Sequence, residues 1–220
     1  MPMHALLRSG AVLIMLPLVA GCQLVGGMVE NYRKDSTHKV EAEYIGLAGK
    51  SFAVVVQADR AIQGEHPGLV EFLSSRIADR LADPANSPAA AGFVSPADVA
   101  SYQARNPSWA GKAPSELAKD LGGVSRLVMI EMIEYRLNEP GNPYEWDGVA
   151  AATVSVVEVD SPAPDEPSFS RTMTVKFPGK KGFGPDQMSR QTVTSALAGR
   201  LVDRVSWLFY AHEEPYYPEY

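Results

Sequence analysis

The chain carries a single cysteine, Cys22, in 220 residues. No intramolecular disulfide is available, so any fold must stand on its hydrophobic core alone. The sequence can meet that demand, because 45% of it is hydrophobic and the apolar residues gather into short, well-spaced runs. Phe52-Ala53-Val54-Val55-Val56 is β-branched and almost continuously apolar, the pattern of a strand covered on both faces. Pro67 suits a first helical turn, and Leu69, Leu73, Ile77 and Leu81 then recur every fourth residue, which predicts an amphipathic helix of about four turns. Gly92-Phe93-Val94 reads as a short extended piece. Ser95 and Pro96 open a further helix that fails at Pro107. Pro114 to Leu121 is a short helix stopped by Gly122-Gly123.

The second half is strand-rich. Arg126 to Leu137 and Val149 to Val159 are long strands, joined by a loop at Asn138 to Gly148 that is rich in Pro, Gly and Asn. After a turn at Ser161 to Pro167, residues Ser168 to Phe177 alternate strictly. Phe169, Arg171, Met173, Val175 and Phe177 face away from Ser170, Thr172, Thr174 and Lys176, as in an antiparallel strand with one wet face. A long helix spans Pro185 to about His212, with Val193, Leu197, Leu201 and Val205 on one stripe. Together these elements predict a single α/β (α+β) domain over residues 51–212, with a mixed parallel and antiparallel sheet covered by helices.

The N-terminus carries an address. Arg8 precedes the apolar run Ala11 to Gly21, so residues 1–21 read as a signal peptide. The run is about half the roughly 20 residues that a membrane span requires. Val19-Ala20-Gly21-Cys22 resembles the lipobox of bacterial lipoproteins. The resemblance implies that the Cys22 thiol takes a diacylglyceryl group and that the acylated, palmitate-type N-terminus anchors the chain in a membrane. Two or more acyl chains make such an anchor persistent. Gln23, where Asp favours inner-membrane retention in well-studied lipoproteins, implies the outer membrane facing the periplasm. Residues 22–50 are then the acylated N-terminus and a tether, with Tyr44, Ile45 and Leu47 apolar enough to lie on the domain. Residues 213–220 form a Tyr- and Pro-rich tail, read either as a strap across its own domain or as a linear segment for a partner. The formal net charge is −6 at pH 7, which gives no general attraction to nucleic acid.

The element order resembles a known group. A first strand in the style of Ser51 to Val56, a long helix, a short Gly92-Phe93-Val94 strand, a Ser115-Glu116-Leu117-Ala118-Lys119-Asp120-Leu121-Gly122 helix end and the strand Ser125 to Tyr135 follow one another, with a meander at Val149 to Val159. This resembles the periplasmic lipoprotein domain shared by the curli-secretion protein CsgG, the LpoB-type activators of peptidoglycan synthases and the N-terminal domain of TolB. The chain departs from that group at Gly123-Val124-Ser125, and it lacks the extra apolar hairpins of a CsgG-type pore. The resemblance implies an envelope-assembly role built on protein binding.

No catalytic signature stands out. Beyond the signal, the histidines are His38, His66 and His212, in the tether, a loop and a helix end, and none has a partner at metal-ligand spacing. No Gly-x-Ser-x-Gly elbow occurs, and Gly179 to Gly184 lacks the order of a phosphate loop. Glu131 and Glu134, three apart on one strand, should point to opposite faces and cannot form an acid–base pair. Tyr144 and Trp146 tip the loop between the two long strands. Such aromatics either mark a partner or ligand surface or fold back over the sheet edge. The expectation is a non-enzymatic, lipid-anchored protein that binds another envelope protein and uses no cofactor or metal. The alternatives are a lipid-anchored small-ligand or glycan module using Tyr144 and Trp146, or an unrecognised hydrolase.

Overall fold

The computed structural model describes residues 36–86, 90–179 and 181–216. The signal peptide, Cys22 and the tether up to residue 35 lie outside them. A short strand β1 (Thr37–Val40) precedes the domain. The domain elements follow in chain order: β2 (Ser51–Gln57), α1 (Arg60–Glu65), α2 (Leu69–Ala82), β3 (Gly92–Phe93), α3 (Pro96–Arg105), a 3₁₀ turn (Trp109–Gly111) and α4 (Pro114–Asp120). Then come β4 (Arg126–Arg136), β5 (Gly148–Glu158), β6 (Pro167–Phe177) and α5 (Arg190–Trp207), and a last short strand β7 (His212–Pro215).

The domain, Glu41 to His212, is built on one five-stranded sheet in the order β3-β2-β4-β5-β6. β2 pairs in parallel with β3 and β4, whereas β4–β5 and β5–β6 are antiparallel. This is the mixed α/β architecture that the pattern predicts. Its connections follow from local chemistry. Ser95 caps α3 by accepting the Asp98 N–H at 3.2 Å, with Pro96 inside the first turn. Ser189 caps α5 in the same way, accepting the Thr192 N–H at 3.1 Å. That cap sets the helix start at Arg190, later than the periodicity alone suggests. After Trp207 the chain turns, and Leu208, Phe209 and Tyr210 are buried in the core instead of extending the helix. Helix α1 was not legible in the sequence. Asp59 caps its six residues by accepting the Ile62 N–H at 2.7 Å.

Side-chain alternation divides β2 between two cores. Phe52, Val54 and Val56 join a large cluster with Leu73 and Ile77 of α2 and Leu197 and Leu201 of α5. Ala53 and Val55 join a smaller one with Val99 of α3, Leu117 of α4 and Leu127 of β4. Fully burying one such aliphatic side chain stabilises the fold by roughly 1.5–3 kcal/mol. Packing also begins before Ser51: Tyr44 and Leu47 are buried members of the larger core. At the start of β5 the backbones come too close for any side chain. A Cβ on Gly148 would lie 2.5 Å from the Phe177 carbonyl oxygen.

On the second face, helices cover only the parallel half. Over β5 and β6 that face carries hydroxyls, with Thr153 paired to Thr172 at 2.9 Å and Ser155 to Ser170 at 3.4 Å.

The second unit is small. Within it β1 and β7 form a two-stranded sheet. The Thr37 hydroxyl donates to Glu213 at 3.0 Å, and the Tyr216 N–H donates to the Ser36 carbonyl at 3.3 Å. Part of the C-terminal tail therefore pairs with part of the tether.

Candidate functional site

The aromatic loop separates its two candidates. Tyr144 is 83% exposed, whereas Trp146 is buried. The Trp146 backbone N–H donates to the Phe183 carbonyl at 2.7 Å, and its indole Nε1 donates to the Met188 carbonyl at 2.8 Å. An indole has one donor; once that is satisfied the ring is free to bury its apolar area. Neighbouring contacts close the loop further, with the Gly182 N–H donating to Glu145 at 2.6 Å and Asn138 Nδ2 donating to the Glu145 carbonyl at 2.7 Å. Trp146 thus folds back over the sheet and offers no contact face, and Tyr144 stands without it.

The strand carboxylates correct the sequence reading. A β-bulge between Met132 and Glu134 shifts the register, so Glu131 lies opposite Thr153 and Glu134 opposite Ala151. Both carboxylates therefore face the open side of the sheet. Glu134 is held by Arg136 at 2.6 Å, and Arg136 also donates to the Asp147 carbonyl at 2.8 Å. That grouping ties the β4–β5 end together and leaves no unpaired acid–base couple. The buried cation Arg126 is likewise structural. It bonds the Gly46 carbonyl at 3.0 Å, the Ser125 carbonyl at 2.8 Å and the Asp160 carboxylate. Burial alone would lower its pKa, yet the Asp160 hydrogen bond and the nearby Tyr44, Glu158 and Asp160 hold it above the ordinary arginine value. Tyr44, buried and donating to Glu158 at 2.9 Å, is pushed up to about 12.

A large concave feature lies elsewhere. From β2 the chain crosses through α2 to β3 on one side, then through α3 and α4 to β4 on the other. The carboxyl end of β2 is therefore a switch point, the place where open α/β sheets leave a crevice. Here the crevice is about 680 Å³. Ser74 and Ser75 of α2 face Ala97, Ala100 and Ala104 of α3 across it, side chains too small to fill the gap. Its polar groups are the amides of Gln57, Gln63 and Gln103, the two serine hydroxyls and the His66 ring, with Glu71 as the one carboxylate among the described lining residues. Trp109, half-buried on the 3₁₀ turn, forms one wall. Trp109 and Gln57 also border a groove of about 240 Å³ on the open sheet face, with Glu131, Thr153, Ser155 and Asp165. Sequence reasoning missed this site because its walls come from distant segments. The available signal was a tryptophan in the Asn106-Pro107-Ser108 connector, where a helix core cannot use it.

His66, in the loop between α1 and α2, is buried and sits edge-to-face on Tyr135 with ring centroids 4.6 Å apart. Burial and then the Arg190 charge lower its pKa from the ordinary histidine value. Its ring also lines a separate cavity of about 500 Å³ between the first turns of α2 and α5, beside Leu69, Phe72 and Arg190. Among the described residues no three of His, Cys, Asp and Glu gather as a metal-binding group, and no helix is long and apolar enough to cross a membrane.

The sheet has one long outer edge. β6 ends the strand order, and nearly all of its eleven residues are exposed or half-exposed. Among the described residues no strand pairs with its outer side.

No protein-family model matches the sequence, and no curated protein does. Solved structures that are similar include the PelC dodecamer from Paraburkholderia phytofirmans, at 15% identity and a TM-score of 0.45 over 80% of this chain and 97% of that one. The lipoprotein GNA1162 from Neisseria meningitidis is similar at 12% identity and a TM-score of 0.44, over 71% of this chain and 98% of that one. Protein XCC0632 from Xanthomonas campestris is similar at 12% identity and a TM-score of 0.36, over 77% and 85% of the respective chains.

Proposed function

We propose that this chain is a lipid-anchored envelope protein that binds another envelope protein and catalyses no reaction. The anchor is Cys22, and Gln23 after it favours the outer membrane facing the periplasm. The observation that carries the binding role is the β6 edge. An uncovered edge strand presents a row of backbone donors and acceptors, which soluble proteins ordinarily blunt by shortening, bulging or covering. β6 runs eleven residues to its end at Phe177, with one bulge opposite Val156–Val157 and the Lys176 carbonyl taken by Arg200 at 2.7 Å, and the rest of the strand stays open. An extended segment of the partner adds to it as a sixth strand. Backbone bonds supply the affinity, and the alternating Ser/Thr and apolar side chains of β6 supply the register. This reading takes in the resemblance of the sequence to the CsgG, LpoB and TolB lipoprotein domain, which implies assembly through protein contacts.

The test exploits strand geometry. Successive backbone N–H groups of a strand point to opposite edges, so of the two substitutions Thr172→Pro and Met173→Pro one removes an outward donor only. Proline is tolerated there and disrupts the sheet at the other position. Co-purification of the full-length chain from crosslinked envelopes is expected to recover a discrete partner, and the well-folded proline variant is expected to lose it. Unchanged recovery with the well-folded variant, or recovery of the chain only with itself, would overturn the proposal.

A further inference from the structure

We infer that the crevice at the carboxyl end of β2 is a binding site for a neutral oligosaccharide, with Trp109 as its stacking wall. Three independent features converge on that chemistry. The first is position. The crevice occupies the switch point of the parallel strands, between helices lying on opposite faces of the sheet, where this architecture leaves room for ligands. The second is its polar lining. Gln57 and Gln103 each carry a donor and an acceptor on one planar group, matching vicinal hydroxyls that must both give and receive hydrogen bonds, while Gln63, whose amide nitrogen donates to the Ala58 carbonyl at 2.6 Å, is held in place with its carbonyl oxygen as acceptor. Among the described residues the lining holds no lysine or arginine, so it offers an anionic ligand no counter-charge.

The third feature is Trp109. The chain holds three tryptophans. Trp146 is buried in the loop, and Trp207 lies stacked on His212 with ring centroids 4.5 Å apart. Trp109 borders both the crevice and the neighbouring groove. Its backbone is fixed by the Trp109 N–H to Asn106 carbonyl bond at 2.9 Å. Part of the ring leans on the smaller core, and the rest is left to meet a ligand. An indole face accepts the C–H groups of a pyranose ring while the hydroxyls around its rim reach the amides. The site also has length. Trp109 and Gln57 border both the crevice and the groove on the sheet face, where Thr153, Ser155, Glu131 and Asp165 continue the polar lining. That extent suits several sugar units in a row better than one compact solute.

The probes are cellohexaose and chitohexaose, titrated into the full-length chain in lipid nanodiscs and followed by tryptophan fluorescence and saturation-transfer NMR. At least one hexasaccharide is expected to shift the emission and to receive saturation at its ring protons. Trp109→Ala is expected to weaken binding by about tenfold or more. Because Trp109 touches the smaller core, a second variant guards against misfolding. Ala100→Phe fills the crevice while removing no contact, and it is expected to abolish binding with circular dichroism unchanged. No saturation transfer with either sugar, or affinity unchanged in both variants, would overturn the assignment.

Discussion

The parallel half of the sheet, β3-β2-β4, and the antiparallel half, β4-β5-β6, share β4 and one helix layer, α2 with α5. They differ in what covers the other face. Across β2 and the start of β4, helices α3 and α4 close it with Val99, Leu117 and Ala118. Across β5 and β6 it is left to hydroxyls and charges, and β6 adds an open edge. The text of the strands matches that difference: Phe52 to Val56 is continuous, whereas Ser168 to Phe177 alternates. Burial is thus two-sided over the parallel half and one-sided over the antiparallel half. Both surfaces proposed here for binding, the Trp109 crevice and the β6 edge, lie where coverage stops.

The largest expected effect tests whether the antiparallel half is closed at its end although its face is open. Trp146→Ala should cost about 3–5 kcal/mol, because it empties a buried ring site and orphans the Met188 carbonyl. Tyr144→Ala, two residues earlier, should stay within about 0.5 kcal/mol. Urea denaturation of both reads the contrast, and equal effects would mean that the loop does not fold back. Next, Leu127→Ala and Thr153→Ala compare the two coverings of one sheet face directly. Leu127 is fully buried beneath the helices, so its loss should cost about 2–5 kcal/mol. Thr153, in the open hydroxyl pair, should lose about 0.5 kcal/mol or less.

A smaller effect sharpens the boundary between β4 and β5. Arg126→Leu removes the side-chain donor of the Gly46 carbonyl and strips one bond each from the Ser125 carbonyl, which keeps the Val159 N–H, and the Asp160 carboxylate, which keeps Lys50; the loss should cost about 1–3 kcal/mol. The smallest concerns pH. His66 faces Arg190 and Glu65, and burial lowers its folded pKa below the unfolded value of 6.5. The unfolded chain therefore takes up the proton first as pH falls. The His66 contribution is complete above pH 6.5 and is lost progressively below it. Stability of the parent should drop between pH 7.5 and 5.5, and the drop should shrink in His66→Gln. An identical drop in both would place the titration elsewhere.

Much of the fold was legible because the controlling signals are local. Leu69 to Leu81 kept its helical stripe, Ser95-Pro96 its cap, and Phe52 to Val56 its doubly covered strand. The misreadings arose where tertiary pairing overrides a local count. Glu131 and Glu134 share a face only because Ile133 is bulged out against β5, and nothing in the spacing of the two glutamates reveals an extra residue. Six-residue α1 is too short to show a period, and its one signal was the capping Asp59. The pairing of Thr37–Val40 with His212–Pro215 joins opposite ends of the chain, beyond the reach of pattern reading. Of the two residues singled out for a surface, Trp146 is buried by a hydrogen bond to Met188. The crevice that the fold does provide is walled by Trp109, in a connector with no periodicity to read.

The central claim is that the β6 edge takes a strand from a different envelope protein. The most direct measurement places a photo-crosslinking amino acid at Ser170 on β6 and, as a control, at the exposed Arg105 on α3, in the full-length chain within living cells. The account predicts a discrete heavier adduct from Ser170 alone, containing one other envelope protein. An adduct of the chain only with itself, or the same pattern from Ser170 and Arg105, would contradict it.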